Sequence, residues 1–239
     1  MISLLFSASL ALAAAPIHSP DREYREYDFN ALEKIKVTNT SGKITISPMP
    51  LQKVTINIIK KKFSERCTAD IARAEIQEIL VEVNKPLGEI CEADIELQVP
   101  TDVALDLTSG SGDIIVNDVE GPLNFTVGSG AVKAKGDFKS LEGKSGSGDI
   151  SIEGLTHGGG NLNVGSGHID VKFAENPKDG DFNVKAGSGG ATLNFPKGSK
   201  IKASLEAGSG EVSNEFTDNP YGFKLSAKSG SGDVKVKSY

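Results

Sequence analysis

In the second half of the chain, apolar and polar residues alternate in short runs, and each run ends at the same triplet, Gly-Ser-Gly. Ahead of Gly110-Ser111-Gly112, Leu105, Leu107 and the small Ser109 alternate with Asp106 and Thr108. Ahead of Gly128-Ser129-Gly130 the same places hold Leu123, Phe125 and Val127, with Asn124 between. A period of two predicts a strand with one buried face. After the triplet the phase changes. Ile114 and Val116 follow the first triplet, Val132 and Ala134 the second, Ile150 and Ile152 the third. Carrying the upstream phase through the triplet would instead bury Asp113, Asp149 and Asp233, and unpaired buried carboxylates are costly. The chain must therefore turn or bulge at each triplet, where glycine tolerates the dihedrals required. Each repeat reads as strand, glycine corner, strand and return loop.

The triplet occurs seven times, ending at Gly112, Gly130, Gly148, Gly167, Gly189, Gly210 and Gly232, with spacings of 18 to 22 residues. Such regularity predicts a repeat architecture, in which one unit cannot bury its own apolar face but stacked units can. The fold expected is all-β: a parallel β-solenoid of about seven glycine-cornered rungs over 101–239. Ile114, Val132, Ile150 and Ile169 should stack in one buried column at about 4.8 Å per rung, with right-handed coiling. Later repeats add Phe173, Phe195 and Phe216 as a further column. Upstream, Ile35 and Val37 precede Thr40-Ser41-Gly42, and Ile44 and Ile46 follow it, which makes a detached first rung.

The rest of the chain divides at changes of character. Residues 1–15, MISLLFSASLALAAA, read as a secretory signal peptide, and 16–29 as a polar tether. Residues 30–100 hold the first rung and a capping insertion of α+β type. In the insertion, Val54, Ile56 and Ile58 predict a strand, as do Val81 with Val83, and Ile95 with Leu97 and Val99. Thr68 to Glu78 predicts a short helix, with Ala72, Ile76 and Ile79 on one face. The insertion is expected to cover the first end of the stack. At the other end only Lys237, Ser238 and Tyr239 follow Val236. Asp233, Val234, Lys235, Val236 and Lys237 are therefore expected to form an open sheet edge, able to take a strand from a partner or a second copy. Cys67 and Cys91 are the only cysteines. Export would place them in an oxidising compartment, and the sequence leaves open whether they bridge.

A net charge of −6 argues against nucleic acid as a partner, because phosphate binding needs a basic patch. The Asp after the triplet recurs at Asp113, Asp149 and Asp233, but Ala131, His168, Gly190 and Glu211 hold the same place elsewhere. Neighbouring rungs seldom offer two carboxylates, so the column reads as turn support rather than a calcium ladder. Seven equivalent triplet serines cannot all be nucleophiles, and read as hydroxyls that satisfy corner backbone groups. His157 and His168 lack the partners a zinc site needs. A strand follows every triplet, whereas a phosphate cradle needs a helix N-terminus. No metal or cofactor is expected. A polysaccharide-processing β-helix enzyme would cluster carboxylates and aromatics in one groove; Asp170 and Lys172 are the pair to inspect, and tryptophan is absent.

Ser-Gly-Ser-Gly-Asp-Ile, at Ser109 to Ile114 and Ser145 to Ile150, resembles the bacterial adhesin families built on β-strand repeats, including the auto-transporter adhesin head domain of GIN type. The rung at Ile35 to Ile46 and the insertion ending Leu97-Gln98-Val99-Pro100 match that layout. The resemblance implies a parallel β-solenoid on an exported, non-enzymatic protein, an adhesin or a binding scaffold of the cell envelope. The reading that follows expects a periplasmic or surface location, no transmembrane segment after signal cleavage, since no other stretch is long and apolar enough to span, and an envelope protein or surface glycan as partner. The rival readings are the β-helix enzyme above and a structural assembly component.

Overall fold

Among the described residues, alternating apolar and polar positions become strand throughout and no helix occurs. The computed structural model describes residues 18–19, 21–28, 32–50, 53–75, 77–178 and 180–239. The expected signal peptide lies outside them. The chain begins with β1 (His18–Ser19), β2 (Arg22–Asp28), β3 (Lys34–Ser41) and β4 (Ile44–Pro48). The insertion supplies β5 (Lys53–Phe63), β6 (Thr68–Glu75), β7 (Glu78–Asn84) and β8 (Cys91–Val99). The repeats then place one strand on each side of every triplet. The first three give β9 (Ala104–Ser111) and β10 (Ile114–Asn117), β11 (Leu123–Ser129) and β12 (Val132–Lys135), β13 (Leu141–Ser147) and β14 (Ile150–Leu155). The next two give β15 (Gly160–Ser166) and β16 (Ile169–Phe173), then β17 (Asp181–Ser188) and β18 (Ala191–Phe195). The last two give β19 (Ile201–Ala207) and β20 (Val212–Asn214), then β21 (Phe223–Ser229) and β22 (Val234–Ser238).

Strands before the triplets join a 10-stranded sheet and strands after them a 12-stranded one. Neighbouring repeats pair in parallel and in register. Ile114 lies beside Val132, Val132 beside Ile150, and Ile150 beside Ile169. All four are fully buried, and the inward faces of both sheets share one apolar core. Large and small residues alternate along its columns. Phe125 lies beside Gly143, and Phe182 beside Gly160. Near the far end Phe173 stacks on Phe195 with ring centroids 4.4 Å apart, and Phe216 meets Phe195 edge-on.

The corner explains the triplet. The backbone of one corner passes so close to the next that a Cβ on the first glycine would strike its neighbour: Gly128 would meet the Gly110 carbonyl oxygen at 2.4 Å. In the first five triplets the second glycine also carries a positive φ, 135° at Gly148, where side chains are disfavoured. The phase change lets the following Asp stay outside, where it links rungs. Asp113 accepts from the Ala131 amide at 2.9 Å, Asp149 from His168 at 2.8 Å and Asp233 from Glu211 at 3.0 Å. The triplet serines are exposed. Corner carbonyls are instead met by the buried serines just before the triplet: Ser109 donates to the Gly112 carbonyl and Ser145 to that of Gly148. A strand corner leaves its middle residue pointing outward, so the hydroxyl work falls to the residue before the triplet.

Three elements differ from the sequence reading. The expected helix from Thr68 to Glu78 is strand: β6 pairs antiparallel with β7, and Ala69 and Ile71 pack against the core. Pairing with β7 satisfies a backbone ladder and buries the alternate set of residues, so tertiary context overrides the helical spacing. The expected tether, 16–29, contains β2, which pairs antiparallel with β5 from Arg22 to Asp28. Ion pairs between Lys53 and Glu26 and between Lys60 and Glu23 join the same two strands. Lastly, Asp233 to Lys237 is no edge. β22 lies between β18 and β20, and β21 between β17 and β19. The last repeat in sequence inserts before the sixth, so β19 and β20 form the true end.

That end is fastened by carboxylates held below their usual range. Lys228 holds Glu206 there, the Ser238 amide and hydroxyl hold Glu215, and Lys235 together with the Glu211 amide holds Asp233. A carboxylate with a depressed folded pKa stabilises above its unfolded value and loses that contribution as pH falls through the folded one. Amide protection in β20 and β22 should therefore fall before that in β10 to β16 as pH drops below about 4. Hydrogen exchange followed across that range checks this; uniform loss along the stack would contradict it.

Candidate functional site

The four strands β2, β5, β8 and β4 lie side by side at the first end of the large sheet. Their inward residues, such as Val54, Ile56, Ile95, Leu97, Ile44 and Ile46, are buried. Strand alternation therefore turns the residues between them outward. Register lines these up in two rows. One runs Tyr24, Asn57, Glu96, Thr45; the next runs Glu26, Thr55, Gln98, Ser47. Together with Arg22, all of these except Glu26 line a groove of about 450 Å³ on the sheet face.

The groove is held by its own side chains. Arg22 Nε donates to Asn57 Oδ1 at 2.6 Å, and Asn57 Nδ2 donates to Glu96 Oε2 at 2.7 Å. Asn57 is buried although it lies on the outward face. Thr55 donates to Gln98 Oε1 at 3.1 Å. The Tyr24 hydroxyl donates to Glu26, whose carboxylate also accepts from Lys53 Nζ at 2.8 Å. Burial and the neighbouring Glu26 charge raise the Tyr24 pKa, so its hydroxyl stays protonated at neutral pH. Lys53 and the Tyr24 hydroxyl hold Glu26 below the usual carboxylate range. The result is an aromatic ring and fixed polar groups of both signs on a rigid sheet.

The other sequence candidates take separate places. Cys67 and Cys91 form a disulfide with Cα atoms 5.7 Å apart, closing a loop with a sequence separation of 24. Arg66 pairs with Glu89 beside it. A loop of that length implies about 3 kcal/mol of stabilisation. Denaturation with and without reductant should show that loss, and coincident curves would contradict it. Asp170 and Lys172 lie on β16, where Lys172 covers the Tyr239 ring at 4.7 Å and forms no cluster with Asp170. His157 Nδ1 lies 3.1 Å from Asp137, and His168 Nε2 lies 3.0 Å from Thr192 Oγ1, so the two histidines serve different neighbours. Among the described residues, no three His, Cys, Asp or Glu side chains converge as a metal site would require, and no helix is long and apolar enough to cross a membrane.

The true end is guarded. β20 has three residues, and Val212 is 47% exposed. On β19 the Ala203 amide donates to Asp218 Oδ1 at 3.1 Å, while the Asn219 amide donates to the Ile201 carbonyl at 2.9 Å. A loop thus occupies backbone groups that would otherwise invite another strand. The groove was beyond sequence reasoning because its residues come from four separated segments. The clue to the true end was present: Asn214 stands in a column where the other repeats have Val116, Ala134, Ile152, Val171, Leu193 and Val236.

No curated protein matches the chain. Solved structures show distant likeness. A putative cell adhesion protein from Clostridium sporogenes is 15% identical, with 92% of this chain and 100% of that one covered and a TM-score of 0.44. A putative adhesin from Parabacteroides merdae is 12% identical, with 92% and 97% covered and a TM-score of 0.39. A putative lipid binding protein from Parabacteroides distasonis is 13% identical, with 92% and 97% covered and a TM-score of 0.38. The sequence itself matches one family from residue 26 to residue 238, across the groove residues of β4, β5 and β8, the insertion and all the glycine corners: the chain belongs to the Toastrack DUF4097 family.

Proposed function

We propose that this protein is an exported, non-enzymatic binding scaffold of the cell envelope. In this reading the parallel repeats form a stiff support, and the face of β2, β5, β8 and β4 meets the ligand. The observation that carries the reading is the groove network. Arg22, Asn57 and Glu96 hold one another in fixed positions, an arrangement suited to holding a ligand, with the only carboxylate of the trio engaged by an amide. The Cys67–Cys91 disulfide supports export, because such bonds persist in oxidising compartments.

Cell fractionation with thiol alkylation tests the location: the chain should be found outside the cytoplasm with Cys67 and Cys91 protected from alkylation unless reduced. Incubation with envelope polysaccharide tests the role: the chain should be retained without releasing shortened products. A cytoplasmic chain with two free thiols, or release of cleaved sugar, would overturn the proposal. At the far end of the stack a strand-pairing partner would have to meet β19 and β20, since β22 is flanked on both sides.

A further inference from the structure

We infer that the groove on the face of β2, β5, β8 and β4 binds an uncharged sugar chain laid across the strands. This inference rests on the reading of the protein as a binding scaffold and names the ligand class of that site. The first argument is the kind of group on offer. Glu96 only accepts hydrogen bonds and Arg22 only donates, whereas Gln98, Thr45 and Ser47 do both. A ligand that meets all of them must itself both donate and accept at short intervals, which is what ring hydroxyls do. The second argument is the aromatic face. Tyr24 lines the groove beside these groups, and a tyrosine ring offers an apolar surface with a polar rim. The C–H face of a pyranose matches the first and its hydroxyls the second.

Spacing and charge narrow the choice. Tyr24, Asn57, Glu96 and Thr45 lie in one row, one residue from each of four adjacent strands. Adjacent strands are about 4.8 Å apart, close to the length of one pyranose ring, so a chain across the strands meets a new side chain at each sugar. The opposite charges of Arg22 and Glu96 are joined through Asn57, so neither sign dominates and a neutral ligand is favoured over an anionic one. A peptide fits less well. The backbone groups of β5, β8 and β4 are already paired within the sheet, so an extended peptide cannot add itself as a strand on this face.

The test uses the full mature chain and three neutral probes, cellohexaose, chitohexaose and maltohexaose, in isothermal titration calorimetry. At least one should bind with a Kd below about 1 mM, an ordinary affinity for a shallow groove. Tyr24→Ala, which removes the ring, and Gln98→Ala, on an exposed side chain, should each weaken binding at least tenfold. Gln98→Ala should leave the melting temperature unchanged, so its result stands even if Tyr24→Ala loosens β2. Absence of binding to all three probes overturns the inference, as does binding that survives both substitutions. If the chain is nevertheless exported, disulfide-bonded and retained on envelope polysaccharide, the scaffold reading stands and the groove assignment alone fails.

Discussion

Replacing Gly148 by alanine is expected to destabilise the fold by roughly 2–5 kcal/mol. Two effects add at this position. Gly148 has a φ of 135°, a conformation that an L side chain adopts only under strain. Its Cβ would also lie 2.1 Å from the carbonyl oxygen of Gly130. That oxygen belongs to a backbone fixed by parallel pairing on both sides of the corner, so it cannot yield as a flexible side chain would. Separating the two rungs would break the ladder between β12 and β14, including the bond from the Val132 amide to the Asp149 carbonyl. Gly159 provides the control. It is exposed, and a Cβ there would meet nothing within 4 Å, so Gly159→Ala should stay within about 0.5 kcal/mol of the parent. Urea denaturation of both variants checks the pair. Equal midpoints for Gly148→Ala and the parent would remove the steric account of the triplet.

The same corner shows why part of the fold was legible in the sequence. A parallel stack repeats each residue's surroundings from rung to rung, so period-two columns and the phase change at Gly-Ser-Gly report the register directly. Ile114, Val132, Ile150 and Ile169 could be aligned before any coordinates were known. Column position, however, states where a residue lies within a rung and not which rung is its neighbour. That is why the insertion of β21 and β22 between the fifth and sixth repeats escaped a reading that assumed stacking in chain order. The exposed Asn214 is the physical trace of that swap: a polar residue costs little in a column that ends in solvent. The Thr68 segment failed for a different reason. Its spacing fits a helix at Ala72, Ile76 and Ile79, and fits a strand at Ala69 and Ile71. Only β7, several residues later, decides between them. The groove was further still from reach, since Tyr24, Asn57, Glu96 and Thr45 become a row only once β2, β5, β8 and β4 have paired.

The core makes the second large prediction, and it concerns a pair. Phe125 and Gly143 are neighbours across β11 and β13, with Leu162 next in the same column. Phe125 is 1% exposed, and its removal as Phe125→Ala should cost about 3–5 kcal/mol through lost burial and the cavity left behind. Gly143 has no positive φ, so alanine can adopt its backbone. The obstacle is the aromatic ring: a Cβ at Gly143 would lie 2.2 Å from Phe125 Cζ and 2.7 Å from a Leu162 methyl. Gly143→Ala alone should therefore cost roughly 1–3 kcal/mol as overpacking. In the double variant the ring that blocks the methyl is gone, and the methyl occupies part of the space it leaves. The two costs should then fail to add, with a coupling of about 1–3 kcal/mol in favour of the double variant. The double variant should be no less stable than Phe125→Ala alone. A full set of denaturation curves closes the cycle. Strict additivity would mean that Gly143 is required by the backbone rather than by the phenylalanine, and the large-small alternation along this column would lose its packing explanation.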